Sequence, residues 1–155
     1  MGTTVNNIYV DRVFKCSVRE LFNWITEPKL LAKWFGPQHV SVGHVTANVK
    51  VGGSYQIELL KSHGGCFLIE GDYLEIERPY KLRFSFKYKG IKNPPPDSMV
   101  KITIKEIDSS TSNLSLVQEF ETTPPDMENR TKAWRHMLGR LSKEVKAGSK
   151  TGNTT

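Results

Sequence analysis

The stretch Tyr80-Lys81-Leu82-Arg83-Phe84-Ser85-Phe86-Lys87-Tyr88-Lys89 alternates between apolar and polar residues without a break. Successive side chains of a β-strand point to opposite faces. This period puts Tyr80, Leu82, Phe84, Phe86 and Tyr88 on one side and Lys81, Arg83, Ser85, Lys87 and Lys89 on the other. One apolar and one charged face mark a half-buried strand of an antiparallel sheet. The apolar face of such a sheet needs a cover.

Strand patterns flank this stretch on both sides. Upstream, Val40 to Val49 is strand-like, but its apolar period slips near Gly43-His44, which predicts a bulge or bend. Gly52-Gly53 is a turn, and Tyr55, Ile57 and Leu59 share the inner face of the next strand. His63-Gly64-Gly65 closes a hairpin, after which Phe67, Ile69, Gly71 and Tyr73 share a face. Arg78-Pro79 turns the chain into the Tyr80 strand. Downstream of the loop Pro94-Pro95-Pro96, Val100, Ile102 and Ile104 oppose Lys101, Thr103 and Lys105. Asp108 to Asn113 reads as a hairpin loop, and Leu114, Leu116 and Phe120 form the inner side of the last strand.

Helical signals sit at the two ends. After an edge-like strand, Ile8 to Lys15, the sequence Ser17-Val18-Arg19-Glu20 is a capping box. It opens a helix from Val18 to about Ile25 with the stripe Val18, Leu21, Phe22 and Ile25, and with Trp24 to one side. Pro28 opens a second short helix to Phe35, which Gly36 caps and Pro37 stops. Near the other end, Thr123 is the expected N-cap of a long helix, with Asp126 at the third position. Met127, Thr131, Trp134, Leu138, Leu141 and Val145 step by four or three, so one face is apolar as far as Lys146. The chain from Ala147 is small and polar and is expected to fray.

The predicted architecture is α+β: a curved antiparallel sheet of about 6–7 strands wrapped round a long C-terminal helix, with two short helices after the first strand. Residues 8–146 form one domain and residues 147–155 a flexible tail. A cavity between helix and sheet follows from this arrangement. Trp34, Phe35, Tyr55, Phe67, Tyr73, Phe84, Phe86 and Trp134 should converge there, with Ile69 and Leu138 beside them. From composition alone these rings fill a solid core as readily as they line a pocket.

The 155 residues carry 37% hydrophobic and 25% charged residues, as ordinary globular chains do. No apolar run reaches the ~20 residues of a membrane helix. The N-terminus lacks a basic stretch followed by an apolar one, and there are 2 cysteines, so a cytoplasmic protein with reduced thiols is expected. The net charge of +6 is uneven, with 8 basic and 1 acidic residues in 78–105. No aromatic residues interleave with the outer lysines, and acids on neighbouring strands can pair with them. This argues for a solvated face and against nucleic-acid binding.

Pro28-Lys29-Leu30-Leu31-Ala32-Lys33-Trp34-Phe35-Gly36-Pro37 resembles the "P…L..WFGP" signature of the START-like, helix-grip SRPBCC superfamily. The branch it resembles most is the one named for the activator of the ninety-kilodalton heat-shock-protein ATPase. Val51 to Tyr55, Gly71 to Ile76, Pro79 to Phe84, and Leu114 to Phe120 followed by a helix with Trp134 also match, in the same order. Ala133 stands where the family usually has glycine. The resemblance implies an apolar small-molecule cavity and favours the pocket over the solid core. Its expected occupant is a small apolar or aromatic ligand. A stress-response partnership with a heat-shock ATPase, and a cyclase- or hydrolase-type enzyme, are the alternatives it implies. The 155 residues hold no counterpart of the separate N-terminal domain by which the co-chaperone grips its partner, so that role is the second expectation. A monomer or homodimer is expected.

No catalytic motif is written in the chain. His39, His44, His63 and His136 are scattered and Cys16 lies far from Cys66, so neither a metal site nor a cofactor is expected. His63 precedes Cys66 by three positions, but nothing orients the pair as a nucleophile and base. Glu58, Glu70, Asp72, Glu75 and His39 are the candidates for acid–base work should one of them project into the cavity.

Overall fold

The computed structural model describes residues 7–36 and 39–152. Strand β1 (Asn7–Phe14) leads into helices α1 (Val18–Thr26) and α2 (Pro28–Trp34). Six strands follow: β2 (Val40–Ala47), β3 (Ser54–Lys61), β4 (Cys66–Glu77), β5 (Lys81–Lys89), β6 (Ser98–Asp108) and β7 (Thr111–Phe120). Helix α3 (Met127–Gly152) closes the chain. The seven strands form one curled antiparallel sheet in the order β1-β7-β6-β5-β4-β3-β2. Every strand after β2 pairs with its sequence neighbour, and β7 returns to meet β1, the expected edge strand.

Local chemistry sets the boundaries. The Ser17 hydroxyl accepts from the Glu20 amide at 3.2 Å, as the capping box requires. The slip at Gly43-His44 is a register shift between Val42 and Val45 in the β2–β3 pairing. On β5 the alternation holds through Leu82 and Phe86, both buried. Tyr80 departs from it and is 52% exposed. It belongs to the turn after Pro79, where its amide donates to the Glu77 carbonyl at 2.7 Å, so strand parity does not apply to it.

Three other boundaries differ from the sequence reading. The β6–β7 hairpin is tighter than Asp108–Asn113: Thr111, Ser112 and Asn113 already belong to β7. Asp108 accepts from the Ser110 amide at 2.9 Å and so turns the chain within two residues. Ser112 is buried and donates to the Cys16 carbonyl at 2.7 Å. Helix α3 starts at Met127 and not directly after Thr123. Thr123 and Pro124 each precede a proline, and such residues are driven out of the α region. At its far end α3 continues past Lys146 to Gly152, through the segment expected to fray. Propagating an existing helix costs little, and the extension lies over the ring of Trp24 near Gly148. That cover also explains why Trp24, off the α1 stripe, is buried. Pro37 and residues 153–155 of the expected tail lie outside the described residues.

The core runs between the concave face and the helices. Leu138, Leu141 and Val145 of α3, Phe14 of β1 and Leu114 and Leu116 of β7 are essentially inaccessible. The α3 backbone approaches β1 and α2 most closely. Large side chains fill the gap between α3 and the central strands. Lys81 pairs with Glu75 and Glu77 at 3.5 Å each on the outer face.

The sheet bends at Gly71. A Cβ there would lie 1.9 Å from the Ser85 carbonyl oxygen of β5, so only glycine permits this approach. The Asp72 amide donates to the Ser85 hydroxyl at 2.8 Å, and the freed Ser85 carbonyl accepts from the Tyr55 hydroxyl at 2.7 Å. Gly71→Ala is therefore expected to lose about 2–3 kcal/mol of unfolding free energy in urea titrations. Gly139→Ala, in α3 with nothing closer than 3.8 Å to the new methyl, should gain about 0.5–1 kcal/mol.

Candidate ligand-binding site

The site grows from Trp134. The α3 stripe points this indole at the sheet, where it meets Phe86 of β5 at 5.9 Å and Phe35, just past α2, at 6.2 Å between ring centroids. Trp34 packs edge-on to Phe35 at 5.7 Å and donates its indole N–H to the Trp24 carbonyl at 3.0 Å, which ties α2 to α1. Tyr55, Tyr73 and Phe84 form a second aromatic group, with Tyr55 at 5.6 Å from Tyr73 and 5.4 Å from Phe84.

Between these rings lies an apolar hollow of about 30 Å³. Trp34, Phe35, Tyr55, Tyr73, Phe84, Phe86 and Trp134 line it, together with aliphatic side chains from α1, α2 and the sheet. This is room for one or two waters at most, and its walls are apolar. The protein's own rings fill most of the concave face. A second hollow of about 50 Å³ abuts it, with Phe35, Phe86 and Trp134 common to both. Ile69, Tyr88, Gln118, Arg130, Ala133 and Met137 complete the second wall.

Polar groups mark the second hollow. The Trp134 indole N–H can only donate, and it donates to Gln118 Oε1 at 2.7 Å. That fixes the amide, whose Nε2 donates to the Ser98 hydroxyl at 2.8 Å. Gln118 is 3% exposed. Arg130 donates from Nε to Asp126 at 2.8 Å and from Nη1 to the Tyr88 hydroxyl at 3.4 Å, and its guanidinium lies over the Tyr88 ring.

The tyrosines hold their protons. Burial, with smaller contributions from nearby tyrosines and acids, pushes Tyr55 well above the ordinary value. Burial takes Tyr73 up to about 12, against a small opposing pull from Arg78. Tyr88 is raised by burial and partly drawn back by Arg130. All three act as neutral hydroxyls at physiological pH. Cys16 is pushed up to about 12 by burial, assisted by Glu20, so its thiol is no nucleophile.

The profile of the family described as activator of Hsp90 ATPase homolog 1-like protein matches residues 15–146. The chain belongs to this family. No curated protein matches it. Solved structures resembling this family member include a protein of Chromobacterium violaceum, 27% identical over 90% of this chain and 96% of that one, with a TM-score of 0.79. A Silicibacter pomeroyi protein carrying the family's name is 18% identical over 92% and 99%, with a TM-score of 0.75. DynU16, a protein of the dynemicin biosynthetic locus, is 19% identical over 92% of this chain and 48% of that one, with a TM-score of 0.74.

In this family member most of the aromatic set does converge. Phe67 and Leu138 line neither hollow: Phe67 stacks on Tyr88 at 6.1 Å, and Leu138 is buried. The acid–base candidates do not project inward. Glu70 and Asp72 line a groove on the outer face, Glu75 pairs with Lys81, and His39 borders an outer groove with His136 and Arg140. Glu58, between buried Ile57 and Leu59, has outward strand parity. The sequence reading left out Gln118 and Arg130. Gln118 sits two positions from both Leu116 and Phe120, so period two alone places it inward, and Arg130 is one helical turn before Trp134. Among the described residues no helix is long and apolar enough to cross a membrane.

Two measurements check this geometry. Trp134→Phe strands Gln118 Oε1 and should cost about 1–3 kcal/mol beyond the lost ring area. Adding Gln118→Met should recover part of that loss, so a double-mutant cycle in urea should show coupling. The Cys16 thiol ionises near 9.0 when unfolded but keeps its proton to about 12 when folded. Its contribution is complete below pH 9 and falls across 9–12, by about 1.4 kcal/mol per pH unit at most. Wild type should therefore lose more stability than Cys16→Ala between pH 8.5 and 10.5.

Proposed function

We propose that this chain binds a small hydrophobic molecule between the sheet and α3 and acts as a carrier or sequestering protein. The observation that carries this reading is the pair of adjoining hollows that share Phe35, Phe86 and Trp134. An interior packed only for stability gains nothing from two voids divided by side chains, since each void forfeits dispersion contacts. On this reading a ligand joins them by displacing one or more of the three shared rings. Buried tyrosines that keep their protons supply neutral polar contacts along an otherwise apolar wall.

An enzyme of cyclase or hydrolase type needs a group that takes or gives a proton at the cavity. The ionisable side chains lining the two hollows are Tyr55, Tyr73, Tyr88 and Arg130. None of them accepts a proton at neutral pH. Binding is the reading this lining favours. Activation of a heat-shock-protein ATPase, the activity in the family's description, is the second reading. It requires a rise in ATPase turnover at saturating amounts of this chain.

The test is a titration with the neutral fluorophore N-phenyl-1-naphthylamine, with native mass spectrometry for stoichiometry. One saturable site is expected. Ala133→Leu, which fills the second hollow, should weaken the site about tenfold while the far-ultraviolet spectrum stays unchanged. Absence of saturable binding by the wild type would remove the proposal.

A further inference from the structure

The second hollow has more hydrogen-bond donors than acceptors. Arg130 uses Nε on Asp126 and Nη1 on Tyr88, which leaves both protons of Nη2 uncommitted. The Tyr88 hydroxyl accepts from Arg130, so its own proton remains to be given. Gln118 spends one Nε2 proton on Ser98 and keeps another, while its Oε1 is committed to Trp134. Three donor groups thus border one hollow whose remaining wall is apolar. The occupant that completes this set offers acceptor oxygens, and a guanidinium favours those that carry charge. The first hollow is lined by no charged side chain: the Tyr55 hydroxyl is turned onto the Ser85 carbonyl, and the other tyrosine of its wall, Tyr73, is neutral.

Resting on the binding reading above, we infer that the ligand is an amphiphilic acid: an apolar or aromatic body in the first hollow, widened by displacement of the shared rings, and a carboxylate or similar oxyanion at Arg130, Tyr88 and Gln118. Arg130 is held by the half-exposed Asp126, whose side chain is 43% accessible against 17% for Arg130. Asp126 therefore orients the guanidinium and competes for it. Its removal should strengthen acid binding, a direction that mere damage to the site would not produce.

The probes are 4-phenylbutyrate and 4-phenyl-1-butanol, which share a body and differ in the head group. Each displaces N-phenyl-1-naphthylamine from the full chain. Wild type should bind the acid at least tenfold more tightly than the alcohol, with the preference shrinking as salt rises. Arg130→Gln should lose at least tenfold for the acid and less than twofold for the alcohol. Tyr88→Phe should lose about threefold for the acid alone. Asp126→Asn should gain several-fold for the acid. Equal binding of the two probes by wild type, or an Asp126→Asn variant no tighter for the acid, would overturn the inference and leave the pocket standing. Binding of neither probe nor fluorophore would sink both.

Discussion

A tryptophan in an apolar core must find an acceptor for its N–H, and in this fold the acceptor of Trp134 fixes the geometry of everything near it. Gln118 Oε1 takes the proton, which turns its Nε2 toward Ser98. The Ser98 hydroxyl lies 3.5 Å from the Phe86 carbonyl. The chain of polar atoms therefore runs from α3 across β7 and β6 to β5, on the inner face of three adjacent strands. Buried networks are stabilising only when every member is satisfied, and no buried side-chain polar atom among the described residues lacks a partner. The bond sets the height of α3 above the sheet, and Phe35 and Phe86 pack against the indole so positioned.

The sheet supplies the matching concavity by breaking one rung of its own ladder. At Gly71 the strands approach too closely for a side chain, and the Ser85 carbonyl is released from the β4 backbone to the Tyr55 hydroxyl. Two needs are met at once: the strand pair bends, and a buried phenol is satisfied by backbone. The Tyr55 ring consequently faces the first hollow as an apolar surface. The charged group and most of the polarity lie at the other end, where Gln118, Tyr88 and Arg130 line the second hollow. The gradient from a dry hollow to a donor-rich one is a product of where two carbonyl and amide groups were satisfied.

The architecture was legible because period-two and helical patterns are long here, and glycine, proline and capping signals separate them. The β5 alternation, the slip at Gly43 and the Ser17 cap each follow from one local rule. The misreadings share another cause. Tyr80 obeyed the alternation but lay in a turn, and Thr123 fitted a cap that two prolines displaced. Ser112 seemed a loop residue until β7 claimed it. In each case a neighbouring constraint overrode the local pattern. The site was half legible for a different reason. Aromatic residues announce themselves by size, whereas Gln118 and Arg130 matter only through partners distant in sequence. Period two put Gln118 inside, but only the position of Trp134 says why a polar residue is tolerated there.

That the same rings both fill the core and wall the hollows is not a contradiction. Ring pairs of this kind contribute about 0.5–1.5 kcal/mol each beyond their buried area, comparable with what a ligand's own ring would return in their place. The exchange is limited by what must move. Phe35 is one of three rings that border both hollows, and the backbone beside it is pinned from both sides: the Gly36 amide donates to Met137 Sδ at 3.2 Å and its carbonyl accepts from Arg140 at 2.9 Å. Gly36 holds this position with φ near +108°, a conformation that side-chain-bearing residues rarely adopt. The main chain beside Phe35 is thus anchored to α3 through both the amide and the carbonyl of Gly36, so on the proposed reading it is the shared rings that must give way to a guest. Such a displacement exchanges ring contacts within the protein for contacts with a guest, at a site whose walls are held by the Trp134–Gln118 bond and the bend at Gly71.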